Sequence, residues 1–258
     1  METQQAEEYQ EAFGRIEREV DSGNTDLRQL GFWRIVDQVK LEPRLAHHWA
    51  DIVGRIDRKA FEARVRPRFP VWFGNVVLFA GMVVSAALVP IGLALAEGMT
   101  GVPVTTVAGR FDQARPGWGG FLIVVAAGGL AVTVHDPAHW IAGRLARIRF
   151  QGYFLDGPFL IQPGLKADYA TYLRATPRGR AIMHAAGALA TKAAPFAVFA
   201  PVYIRHARLD YALLPSWSLW ALLALGALQI VTDIVWSTRS SDWKKVKREL
   251  RIARSQRA

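Results

Sequence analysis

The sequence predicts an all-α polytopic membrane protein, with four transmembrane helices behind a small N-terminal helical domain on the cytoplasmic side. Three observations carry this. Four apolar runs are each long enough to cross a hydrocarbon core of ~30 Å, which takes ~20 helical residues. The residues before the first run repeat their apolar positions with helical period. The basic residues gather in two segments that an even number of spans separates, as the positive-inside rule expects of one membrane side.

The N-terminal domain is read over residues 1–68. Leu27, Leu30, Phe32, Trp33, Ile35, Val36 and Val39 form a broad apolar stripe, and Leu45, Trp49, Ile52, Val53 and Ile56 form a second. Such stripes pack against other helices or lie on a membrane surface. His47 and His48 fall in this domain and are read as surface or packing residues. The stretch RVRPRFP, Arg64–Pro70, then breaks the helix and marks entry to the first span.

The transmembrane domain is read over residues 69–258. Its spans run roughly Val71 to Leu95, Gly119 to Gly143, Ala181 to Ile204 and Leu214 to Trp236. The start, METQQAEEYQEAF, is polar and acidic and lacks the apolar centre of a signal peptide. The chain has no cysteine, so disulfides and thiolate metal ligands are excluded. Between the second and third spans, FQGYFLDGPFLIQPG places short apolar stretches between turn signals, the pattern of a hairpin or a re-entrant segment.

The formal net charge of +10 is localised. Residues 1–68 hold 12 basic and 13 acidic groups. The segment Arg144–Arg180 holds 7 and 2, and Ser237–Ala258 holds 8 and 2. The segments around 98–118 and 205–213 hold two arginines each. Both termini and the basic loop are therefore expected on the cytoplasmic side, facing anionic lipid. Nucleic acid is not expected as a partner, because aromatics are not interleaved with the cations as a stacking platform requires.

Apart from Glu97 at a span's edge, the charged residues within the spans are Asp136, Lys192 and Asp233. His135 and His139 of the second span and His184 of the third join them. Ionisable groups in a bilayer cost several kcal/mol unless paired or hydrated, so each marks a candidate site. At 1.5 Å per residue, His139 lies ~7–8 Å and His135 ~13–14 Å in from Arg144; Asp233 lies ~9 Å in from Arg239 and His184 ~6 Å in from Arg180. Three helices thus offer ligand-type side chains in one leaflet. His135 and His139, four residues apart, share a helical face. Two histidines and a carboxylate, here Asp233, make a common catalytic zinc set with a fourth position for water. Asp136 is then the candidate general base. The same residues also fit a buried polar network tying the helices together.

HDPAH at His135–His139, with QIVTDIVW around Asp233, resembles the site-2 protease family of intramembrane metalloproteases. That family carries H-E-x-x-H on one transmembrane helix and an aspartate on a later one. HAAGALATK, His184–Lys192, is similar to its small-residue A-G-P-x-x-N segment, with Thr191 at the asparagine position. The resemblance covers roughly Gly119–Lys244. It implies a bound Zn2+ and hydrolysis of transmembrane protein substrates; His184, Thr191 and Lys192 are expected around the ligands. Asp136 departs from the family glutamate by one methylene, and Pro137 stands inside the motif. A literal LDG occurs at Leu155–Gly157 but precedes the third span; it reads as a turn, with Asp156 as a reserve ligand. Lys192 has no family counterpart and is expected to pair with Asp136 or Asp233. The alternative is an inactive membrane protein of the same scaffold that binds metal or a partner helix.

Overall fold

The structure is a computed structural model that describes residues 2–97, 107–156, 162–208, 213–235 and 241–256; the side chains of 2–4, 107–114, 156, 162 and 232–235 lie outside that description. The fold is all-α with a small sheet. In chain order the elements are α1 (Glu2–Asp21), α2 (Phe32–Val39), α3 (Pro43–Arg64), β1 (Arg68–Phe69), α4 (Val71–Ala96) and α5 (Val107–Leu145). Then follow β2 (Phe150–Asp156), β3 (Gln162–Ala167), α6 (Tyr169–Arg174), α7 (Pro177–Ala207), α8 (Ser216–Val235) and α9 (Asp242–Ser255). They form two compact units, and α4, α5, α7 and α9 contribute to both.

The first unit comprises Met1–Gly74, His139–His184 and Lys245–Ala258. Its core joins Phe13 and Ile16 of α1, Phe32 and Val36 of α2, and Trp49, Val53 and Ile56 of α3. Phe32, Val36, Trp49, Val53 and Ile56 come from the two sequence stripes, whose Leu30, Trp33, Ile35, Leu45 and Ile52 are partly buried beside them; Phe13 and Ile16 lie outside the stripes. Pro43 opens α3 at a first-turn position, where its missing N–H costs nothing. Gly54 is needed where α3 meets α6: a Cβ there would stand 2.7 Å from the backbone nitrogen of Ala170. The helix stops at Arg64, and Val65 is extended ahead of the Arg66–Pro67 bond. His47 and His48 are both exposed.

The segment after α5 forms the hairpin alternative. β2 pairs antiparallel with both β1 and β3, with Phe69 opposite Tyr153 and Tyr153 opposite Leu165. Tyr153 is buried and lies against Gly74, where any Cβ would enter its ring.

The second unit comprises Asn75–Ala138 and Ala185–Lys244. Small residues let α4 and α5 approach closely, as helices in lipid do. A Cβ on Gly92 would meet the Gly119 carbonyl at 2.8 Å, and one on Gly129 would meet the Ser85 hydroxyl at 2.3 Å. Ile123, Ala127, Val198, Val202 and Leu222 pack beside them. Val76, Val83, Val84, Val132 and Trp220 are exposed, an outer surface that suits lipid. Arg205 pairs with Glu97.

Among the described residues, three helices are long and apolar enough to cross a membrane: Val71–Ala96, Arg115–Leu145 and Pro177–Ala207; the apolar stretch Ser216–Val231 of α8 is shorter. The chain has the character of an integral membrane protein. One difference from the sequence concerns the segment around 98–118: it reads as a loop ahead of a span beginning at Gly119, yet α5 already begins at Val107 and runs through Pro116. Proline removes only one helical N–H. The Arg115 Nε meanwhile donates to the Leu95 carbonyl at 3.1 Å, capping the end of α4.

Candidate metal centre

His135 and His139 stand one turn apart on α5, which continues unbroken through Pro137. Each ring is held through Nδ1. His139 Nδ1 lies 2.6 Å from the Met183 carbonyl of α7, which can only accept, so Nδ1 carries the hydrogen and Nε2 the lone pair. His135 Nδ1 lies 2.9 Å from the Thr191 hydroxyl, which gives its own hydrogen to the Gly187 carbonyl at 3.0 Å. Thr191 therefore accepts, and His135 too presents Nε2 as a lone pair. Such outer partners orient metal-binding imidazoles elsewhere.

His135 Nε2 faces Asp242 Oδ2 at 3.5 Å. Asp242 opens α9. The ligand atoms of His135, His139 and Asp242 all lie within 4.8 Å of one another, a group that could hold a metal ion. Two imidazole nitrogens and a carboxylate oxygen are the donor set of an open zinc site. A lone pair facing a carboxylate is repulsive unless a cation, either a proton or a metal ion, lies between them. The residues present fit the metal.

The remaining sequence candidates divide by surroundings. Asp136 is 6% exposed, beside the group in sequence but not one of its three members. Thr191 is brought to His135. Lys192 donates to the Ala188 carbonyl at 3.2 Å and stands over the Trp243 ring at 5.7 Å, next in sequence to Asp242. Asp233 belongs to α8, and Asp156 pairs through its backbone with Gln162; both side chains lie outside the described residues. So does the turn read at Gly157.

His184 belongs to a buried polar cluster. Its ring lies 6.3 Å from that of His139, and its Nε2 lies 3.0 Å from the Tyr172 hydroxyl. That hydroxyl donates to Glu249 Oε1 at 3.0 Å, so it accepts from His184. Glu249 is fully buried and also takes Lys40 at 3.2 Å and Arg180 at 2.6 Å. Burial would raise the Glu249 carboxyl, but the charges of Lys40 and Arg180 outweigh it and hold the pKa below the usual value. Burial lowers Lys40 to about 8, against the partial support of Glu249.

Asp242 and Glu249 are the residues that sequence reasoning missed. Asp242 lies beyond Arg239, and so outside any count of depth within a span. Glu249 had a legible signal: it shares a helical face with Val246 and Ile252, a lone carboxylate on the apolar side of a basic helix.

No family model, no curated protein and no solved structure matches this chain.

Proposed function

We propose that the chain is an intramembrane zinc metallopeptidase of the site-2 protease type, with four spans and cytoplasmic termini. The observation supporting this reading is the convergence of His135, His139 and Asp242 with both imidazoles oriented through Nδ1. In this reading Asp242 rather than Asp233 supplies the carboxylate. Bound zinc would polarise a peptide carbonyl and bring a coordinated water's pKa near ~7. The chain's own residues do the rest. Thr191 and the Met183 carbonyl keep the two rings in the ligating tautomer. Asp136, next to His135, accepts a proton during attack and returns it to the leaving amine. The substrate is a transmembrane helix unwound near the cytoplasmic face.

A second reading, a metal-binding membrane protein without hydrolysis, draws on Lys192. Its ammonium over Trp243 places positive charge beside the residue that follows Asp242. Such a charge disfavours a divalent ion and the chemistry it would support. Elemental analysis of purified protein, with His139→Ala beside the wild type, tests the metal. Incubation of reconstituted protein with a panel of single-span substrates then separates the two readings. Wild type that stays metal-free when zinc is supplied defeats both.

A further inference from the structure

The first unit contains a cavity of about 640 Å³ with no part in the reading above. Its wall is built from the turn after α1, the C-terminal half of α3 and the β2–β3 hairpin. The volume lies within the range of small-molecule sites. Four cations, Arg28, Arg64, Arg66 and Lys166, line it against two carboxylates, Asp26 and Asp57.

Asp57 Oδ1 accepts from Lys166 at 2.7 Å while its Oδ2 is buried without a hydrogen-bond partner, and Asp26 accepts from the backbone nitrogens of Arg28 and Gln29 at 3.0 and 3.1 Å. Among the described residues, no side-chain hydrogen bond or ion pair engages Arg28, Arg64 or Arg66. The Lys166 ammonium retains two N–H donors beyond the one given to Asp57. Residues 1–68 are nearly neutral as a whole, with 12 basic and 13 acidic groups, so this convergence of positive charge is local. The wall also presents flat apolar surface: Trp33 and Phe61 both line the cavity, and Lys166 sits over the Phe61 ring at 5.3 Å.

We infer that this cavity binds an anionic ligand carrying a flat ring, of the 5′-mononucleotide class. The phosphate meets the guanidinium groups of Arg64 and Arg66, whose forked donors match a phosphate's oxygens. The ring lies against Trp33, where stacking is favourable and tolerant of base identity, with Phe61 as further apolar wall. A purely apolar ligand would displace water from three exposed guanidinium groups without replacing its hydrogen bonds. A small inorganic anion would leave the aromatic wall bare.

The test is calorimetric titration of the full-length protein in detergent with each of the four 5′-mononucleotides, adenosine and ribose 5-phosphate. Saturable binding of at least one mononucleotide at one per chain is expected. Adenosine and ribose 5-phosphate should each bind at least tenfold more weakly. The double variant Arg64→Gln/Arg66→Gln changes only exposed side chains and should lose at least tenfold in mononucleotide affinity, with its circular dichroism unchanged. Three results overturn the inference: no saturable binding of any mononucleotide, equal affinity in the double variant, or ribose 5-phosphate binding as tightly as the nucleotides.

Discussion

His135 Nε2 and Asp242 Oδ2 face each other at 3.5 Å, joining the second long apolar helix to the first residue of the C-terminal helix. With Thr191 accepting from the opposite ring nitrogen, the imidazole turns a lone pair toward an acid. A bound cation resolves that opposition. A zinc ion does so with His139 as third ligand, and a proton does so by making His135 an imidazolium.

These two possibilities give different metal contents. Zinc binding predicts one ion per chain, with at least tenfold weaker retention in His135→Ala, His139→Ala and Asp242→Ala. Asp233→Ala should keep its zinc. Thr191→Val removes the acceptor on His135 Nδ1, along with the hydroxyl's own bond to Gly187, and should weaken zinc by ~10–100-fold, the usual cost of an outer partner. Mass-spectrometric metal analysis after dialysis against a weak chelator reads all five variants. Loss of zinc in Asp233→Ala with retention in Asp242→Ala would return the ligand role to α8.

The buried cluster around Glu249 makes a separate prediction about stability. Glu249→Gln leaves Lys40 and Arg180 as buried cations without a counter-charge and should cost ~3–5 kcal/mol. Adding Lys40→Met to that background should recover part of the loss. Lys40 alone carries a pH signature. Its folded pKa of about 8 lies below the ordinary 10.5, so the unfolded chain holds more protons between those values. Stability therefore rises as pH goes from about 8 to 10.5, because the cost of keeping Lys40 charged disappears. Lys40→Met should flatten that rise. Thermal unfolding across this pH window measures it, and an unchanged slope in the variant rejects the assignment.

Much of this was legible in residue patterns. The two apolar stripes of the N-terminal segment became the core around Phe32, Trp49 and Val53, because helical period alone dictates which face is buried. The break at Arg64–Pro70 was readable from proline chemistry. What stayed hidden were relationships between distant segments. His135 is readable as a ligand from its spacing to His139, but the approach of Asp242 depends on how α9 returns after α8, and no local pattern encodes that. Lys40 and Glu249 likewise look like ordinary members of charged helices until folding removes both from water. The start of α5 was missed because Pro116 and Gly117 mimic loop punctuation, while a membrane-spanning helix tolerates both.

The proposed four-span reading predicts that the Arg144–Arg180 segment and both termini share one membrane side. Cysteines introduced at Arg110 and Arg174 in this cysteine-free chain should react with an impermeant maleimide from opposite sides of sealed vesicles. The charge pattern requires this: 7 basic to 2 acidic groups in the second segment against two arginines in the first. Labelling of both sites from the same side would reduce the number of spans between them to zero or two.

The last prediction concerns Asp136, which is buried directly after His135. If it is the proton acceptor, Asp136→Asn removes the transfer without removing a ligand. Zinc should then remain bound while cleavage falls by ~10²–10⁴-fold, the typical share of a general base. Asp136→Glu lengthens the carboxylate by one methylene and reproduces the H-E-x-x-H pattern of the proposed reading, so in that reading activity should hold or rise. If Asp136 is instead a structural member of the helix packing, Asp136→Asn should lower thermal stability and leave any cleavage in proportion to folded protein. Cleavage per folded molecule, normalised by bound zinc, separates these outcomes. No variant cleaving any substrate, with zinc bound throughout, would decide for the metal-binding protein without hydrolysis. In that case Lys192→Met should tighten zinc, because it removes the positive charge over Trp243.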